Sequence, residues 1–195
     1  MSSEKDPTRT KILKATLDLL EAGQGKGVRM SDVAKAAGIS RQAVYLHFES
    51  RADLLIETTL YLDRLKDTDA RLAASRSAKT GVERLDAYVT AWAGYIPEIY
   101  PMARVFLALK ETDAEAAEAW NKRMQDMREG CEAAINALDR DGTLKVGLTP
   151  KQATDILWTL LSVRNWEHLT IDCGWPQKKY LQFLKNTTRD LFVAD

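Results

Sequence analysis

Histidine and cysteine are scarce, with two of each in 195 residues. Two histidines exclude an HExxH zinc motif, and with Cys131 and Cys173 alone there is neither a Cys/His zinc pattern nor a disulfide framework. Proline is missing between Pro7 and Pro97, so nothing there forbids long helices. A charge excess is missing too: 28 Lys+Arg balance 28 Asp+Glu, and any binding to nucleic acid has to come from a local patch. The longest run free of charged residues, Ala87 to Pro97, has 11 residues, against the roughly 20 apolar residues of a membrane-spanning helix. The opening residues MSSEKDPTRTK lack the apolar stretch of a secretory signal, and no glycine-rich phosphate loop surrounds Gly38. These absences predict a cytoplasmic protein that is not an enzyme and holds no metal or cofactor.

What is present favours helix. Apolar residues make up 45% and charged residues 29%, a globular composition. The 25 Ala and 24 Leu far outnumber 8 Ile and 9 Val, and β-branched side chains are the ones that lose rotamer freedom in a helix. The fold class predicted is all-α. Ile12, Leu13, Thr16, Leu19 and Leu20 recur at helical spacing over Thr10–Ala22, and Gly23, Gly25 and Gly27 stop that helix. A short helix over Ser31–Ala37, capped by Ser31, ends at Gly38. Another runs from Arg41 to His47 with Ser40 as its cap. A longer one follows over Arg51–Ser75. Further helices are predicted over Val82–Ile96, Pro101–Leu109, Asp113–Leu138, Pro150–Ile171 and Pro176–Phe192, with Pro101, Pro150 and Pro176 in or near first turns. Gly94 and Gly130 fall inside helices at a cost of about 1 kcal/mol each.

Three short helices before a long one, the second and third joined by Ala37-Gly38-Ile39-Ser40, form the pattern of a helix-turn-helix. Gly38 supplies a positive φ, Ile39 plugs the angle and Ser40 caps the reading helix. That helix shows Arg41, Gln42, Tyr45 and Leu46 outward, and the polar three fit the major groove: arginine pairs with guanine, glutamine with adenine, and tyrosine reaches phosphate. Val44 and Phe48 face the core.

The stretch VRMSDVAKAAGISRQAVYLHFESRADLL closely resembles the DNA-binding signature of the tetracycline-repressor (TetR) family. The resemblance matches Gly38, Ser40, Tyr45, the pair His47 and Phe48, and Arg51 to that pattern. Gln42-Ala43 replaces the family's frequent Gly-Thr or Pro-Thr, and Arg51 its frequent Lys. It implies an N-terminal helix-turn-helix domain over residues 1–52 and a helical ligand-binding and dimerisation domain over 53–195. The DNA-binding set expected is Arg9, Arg29, Ser31, Lys35, Ser40, Arg41, Gln42, Ala43, Tyr45, His47 and Arg51, with Arg9, Lys35, Arg41 and Arg51 on phosphates. Through Arg51 the chain carries nine basic and six acidic residues, a net +3, and Lys5, Lys11, Lys14 and Lys26 among them read as ordinary solvated charges.

Such a head needs a second copy to span two half-sites. Within Pro150–Ile171 two apolar faces occur together, which predicts a four-helix bundle between two chains. Its expected residues are Ile156, Leu157, Leu160, Arg164, Leu181, Leu184, Thr188 and Leu191. Intramolecular packing of the same faces is the alternative. The middle helices are aromatic: Tyr88, Trp92 and Tyr95 at i, i+4, i+7, then Phe106, Trp120 and Trp158. Helical spacing suits a core, and the same residues would wall a cavity with Met124 and Leu161, oriented by Arg104 or Asn165. The expected partners are double-stranded operator DNA, a second copy and a small apolar or aromatic effector. The expected function is a repressor that such an effector releases from a palindromic operator. A small helical ligand carrier or enzyme with a helix-turn-helix-like head is the alternative reading.

Overall fold

The computed structural model describes residues 6–23 and 28–194, so Lys5, Gly25, Lys26 and Gly27 lie outside the described residues. Among the described residues the α-helices are α1 (Pro7–Ala22), α2 (Met30–Ala36), α3 (Arg41–His47), α4 (Arg51–Leu65), α5 (Thr68–Arg76), α6 (Gly81–Leu109), α7 (Ala114–Arg140), α8 (Pro150–Leu160), α9 (Val163–Glu167) and α10 (Gln177–Phe192). A π-helical turn over His168–Asp172 follows α9, and Leu144 forms an isolated antiparallel bridge with Val193. The all-α expectation is met. No helix among the described residues is long and apolar enough to cross a membrane.

The chain packs as two compact units, Met1–Lys66 with Ile99–Met124, and Asp67–Glu98 with Gln125–Asp195. Residue 52 is therefore not a packing boundary: α4 belongs with the first three helices, and the chain returns to that unit at the end of α6 and the start of α7. The first unit buries Ile12, Leu20, Val33, Val44, Phe48, Leu54 and Leu62. Phe106 and Trp120 stack in it with ring centroids 6.1 Å apart. The second buries Leu85, Val89, Ile135, Leu138, Leu157, Tyr180 and Leu184.

Several helix limits differ from the sequence reading, each for a local reason. The first helix starts at Pro7 because Asp6 Oδ1 accepts from Thr8 N at 2.8 Å and Arg9 N at 3.4 Å. Those amides, the Thr8 bond first, hold the Asp6 carboxyl below the usual carboxylate range. α2 starts at Met30 with Arg29 in the cap position, so Ser31 lies in the first turn and caps nothing. The expected Arg51–Ser75 helix divides at Asp67, whose φ of 51° is left-handed. Conversely, α6 runs unbroken through Pro97 and Pro101, where two helices were expected. Pro97 has no N–H for the Ala93 carbonyl, and the Gln177 side chain supplies one at 2.8 Å while its Oε1 accepts from Trp166 Nε1 at 2.8 Å.

The expected Pro150–Ile171 helix also divides. Ser162 Oγ accepts from Asn165 N at 3.2 Å and Asn165 Nδ2 donates to Thr159 O at 2.6 Å, so the backbone groups freed by the break find partners. Pro150 does occupy a first turn, behind a capping box of Thr149 and Gln152. Gly130 is explained by packing: a Cβ there would overlap the phenol of Tyr88, whose hydroxyl donates to Met127 O at 2.7 Å. Beside it Cys131 is fully buried, and burial pushes its thiol up to about 12. Cys173 is exposed. A thiol-labelling titration of native protein at pH 8 is expected to modify Cys173 alone, with Cys131 reacting only after unfolding.

Candidate nucleic-acid interface

The turn between α2 and α3 has the geometry that its residues require. Gly38 sits at φ 62°, its N–H donates to Lys35 O at 3.1 Å, and Ile39 N donates to Ala34 O at 3.0 Å. Ser40 Oγ then accepts from Ala43 N at 3.1 Å, capping α3. Val44 and Phe48 point into the core at 0% and 1% exposure, which turns Arg41, Gln42, Tyr45 and Leu46 outward. The Arg41 guanidinium lies 5.6 Å from the Tyr45 ring centroid and donates to the Tyr45 hydroxyl at 3.4 Å. Leu46, at 85% exposure, is a large apolar side chain with no core to fill. Helical spacing placed it outward, one turn after Gln42 and opposite Val44 and Phe48, but the expected DNA-binding set did not include it.

Arg29, Ser31 and Lys35 are exposed, and Ala43 is half-buried. Arg29, Ser31, Arg41, Tyr45 and Arg51 share a groove of about 500 Å³ with Glu49 and Glu115, so this face mixes both charges. Two residues expected on phosphates have partners within the unit. Arg9 donates to His47 O at 2.7 Å, pairs with Glu57 at 2.9 Å and lies 4.3 Å from the Phe48 ring centroid. Arg51 pairs with Asp113 at 2.7 Å and Glu115 at 3.2 Å. Both guanidiniums brace the unit internally, and acidic partners 48 residues from Arg9 and more than sixty from Arg51 leave no local sign in the sequence. His47 Nδ1 stands 3.2 Å from Asp6 Oδ2.

The expected effector residues are dispersed. In the second unit Tyr88, Trp92, Tyr95 and Leu161 are buried, Trp92 meets Tyr95 edge-on at 6.0 Å, and the Trp92 indole donates to Leu161 O at 2.9 Å. Trp158 is half-buried, with the Arg128 guanidinium 5.6 Å from its ring centroid. In the first unit Phe106 and Trp120 are buried and Met124 is half-buried. The polar groups expected to orient a ligand are otherwise placed: Arg104 is exposed, and Asn165 closes the joint between α8 and α9. Of the expected dimer residues, Leu157, Leu184 and Thr188 are interior, a correction that follows from α8 and α10 using those faces within their own unit. Ile156 and Leu191 are exposed, Leu160 and Leu181 half-buried, and Arg164 is exposed and pairs with Glu167 at 3.3 Å.

Residues 12–58, which hold the turn, its cap and the exposed α3 face, match the model of the bacterial regulatory proteins of the tetR family. Residues 12–58 thus carry a tetR-family DNA-binding domain. It is similar to the nucleoid occlusion factor SlmA of Marinomonas sp., with 27% identity over 158 residues, 77% of this chain and 75% of that protein. Similarity to the HTH-type transcriptional regulator AlkX of Mycobacterium tuberculosis is higher but shorter, 43% over 74 residues, covering 37% of this chain and 34% of AlkX. The crystal structure of a TetR-family transcriptional regulator from Rhodococcus sp. shares the fold, with a TM-score of 0.74 at 18% identity over 96% of this chain and 98% of that one. The chain that carries this domain is a DNA-binding transcriptional regulator.

Proposed function

We propose that the protein is a repressor that binds an inverted-repeat operator as a homodimer, with α3 in the major groove, and that a small apolar effector releases it. One observation carries the reading: α3 buries Val44 completely while holding Arg41, Gln42, Tyr45 and Leu46 in water. Polar and apolar groups presented together on a short capped helix suit base edges, where glutamine pairs with adenine and an aliphatic side chain meets the thymine methyl. Arg29, Ser31, Lys35 and Arg41 are the exposed groups placed for phosphate or base contacts. The active protein would work in the cytoplasm, where its operator is.

For the effector, Tyr88 and Trp92 matter through their ring faces, since their polar ends already donate to backbone carbonyls. That chemistry favours an apolar or aromatic compound over an anion. A ligand shifts DNA binding only through unequal affinity for two arrangements, so it must prefer the DNA-free one.

The test starts from duplexes enriched from a random pool by the wild-type protein. Gln42→Ala is expected to cost about 1–3 kcal/mol at particular base pairs and to leave other positions unchanged. For Leu46→Ala the loss should be reproduced with wild-type protein when uracil replaces one thymine in each half-site. Equal affinity of both variants for all duplexes would remove α3 as the reading element.

A further inference from the structure

Arg51 opens α4 and meets the first turn of α7. Its Nε donates to Val28 O at 2.5 Å, Nη1 to Asp113 Oδ1 at 2.9 Å and Glu115 Oε2 at 3.2 Å, and Nη2 to Asp113 Oδ2 at 2.7 Å. Glu115 Oε1 accepts in turn from Ala52 N at 3.3 Å, and Asp113 Oδ1 from Ala116 N at 3.1 Å. The Nε–H, both Nη1–H groups and one Nη2–H are thereby used, and the side chain is only 16% exposed. One positive charge faces two carboxylates, so Arg51 is already neutralised by its own partners. The Arg51 hydrogen bonds hold the Asp113 carboxyl below its usual range, and the pair stays ionised at neutral pH. Further along α4, Asp63 pairs at 2.9 Å with Arg123 of α7.

We propose that Arg51 is a positioning residue for DNA recognition: with Asp113 and Glu115 it clamps the first turn of α4, and through Val28 the start of α2, to the first turn of α7, fixing the pose in which α3 is presented, and it touches no phosphate. Val28 lies just before the cap of α2, the helix that the Gly38 turn ties to α3, so a shift of Arg51 reaches the reading helix through one short segment. The bidentate fork is central, because lysine keeps the charge but cannot span Asp113 and Val28 together. The inference rests on DNA binding by α3, which the wild-type protein tests separately.

The experiment titrates wild type, Arg51→Lys, Asp113→Asn and the double variant against one duplex enriched from a random pool, over a range of salt. Thermal unfolding is recorded for each. The clamp predicts that Arg51→Lys and Asp113→Asn each weaken binding about tenfold or more, that the double variant loses little beyond either one, and that the slope of log affinity against log salt stays at the wild-type value. A phosphate contact predicts the reverse: Arg51→Lys retains affinity, while Asp113→Asn frees the guanidinium, tightens binding and steepens the slope by up to roughly 0.9. Unchanged affinity in both single variants also overturns the clamp. Should Arg51→Lys fail to fold, Asp113→Asn alone decides through the sign of its affinity change. Wild-type protein that enriches no duplex refutes DNA reading itself, a different failure.

Discussion

Gly81→Ala should lower stability by about 3 kcal/mol, the upper end of overpacking penalties, and reduce the melting temperature by about 10 °C for a chain of this size. Gly81 starts α6 where the chain passes the end of α7. A Cβ there would stand 2.5 Å from Leu138 N and 2.7 Å from Ala137 C and O. These are backbone atoms inside a helix and cannot rotate aside. The Gly81 N–H also donates to Asp141 Oδ2 at 2.5 Å, so moving the chain away costs a hydrogen bond. Gly94 in the same helix provides the contrast, since nothing lies within 4 Å of a Cβ there. Gly94→Ala should raise stability by up to about 1 kcal/mol through helix propensity alone. Melting curves of the two variants should shift in opposite directions. A Gly81→Ala protein as stable as wild type would show that α6 and α7 do not approach this closely.

The second large effect concerns self-association. Leu184 is 1% exposed within its own chain, so Leu184→Glu would bury an unpaired charge and unfold the protein, which says nothing about an interface. Ile156 at 36% and Leu191 at 40% exposure are the informative positions on α8 and α10. Glutamate there is solvated in a monomer and desolvated in a dimer. Ile156→Glu with Leu191→Glu should therefore keep the helical circular-dichroism spectrum and raise the dimer dissociation constant by more than 100-fold, a few kcal/mol of uncompensated charge burial. Light scattering across a dilution series reads this directly. A double variant with the mass and dilution behaviour of a wild-type dimer would remove these faces from the interface.

The head was the most legible part of the sequence because its determinants are local. Gly38, Ser40, Val44 and Phe48 act within a few residues of one another, and the turn, cap and core face follow from spacing. The ion-pair partners of Arg9 and Arg51 were hidden for the opposite reason. A basic residue near a DNA-binding motif looks like a phosphate ligand until its carboxylate partner is placed, and Asp113 is distant in the chain. Likewise Pro97 reads as a helix end unless Gln177 is known to reach the Ala93 carbonyl. The joint at Ser162 was visible in its residue types, serine followed three positions later by asparagine, but an apolar pattern running on both sides of it concealed the break. Leu157, Leu184 and Thr188 show the limit of counting faces: amphipathicity says that a surface is covered and does not say whether the cover is the same chain.

The central claim is that this chain reads duplex DNA with α3 as a symmetric pair. Its most direct test is selection of bound duplexes from a random pool by the full-length protein, with the winning sequence footprinted at physiological salt. The account predicts one enriched inverted repeat, with half-site centres about one helical turn or a multiple of it apart, in which Gln42→Ala relaxes the preference at particular base pairs of each half-site and leaves the rest unchanged. Protection confined to a single asymmetric site, enrichment of no inverted repeat, or an unchanged base preference at every position in Gln42→Ala would contradict it.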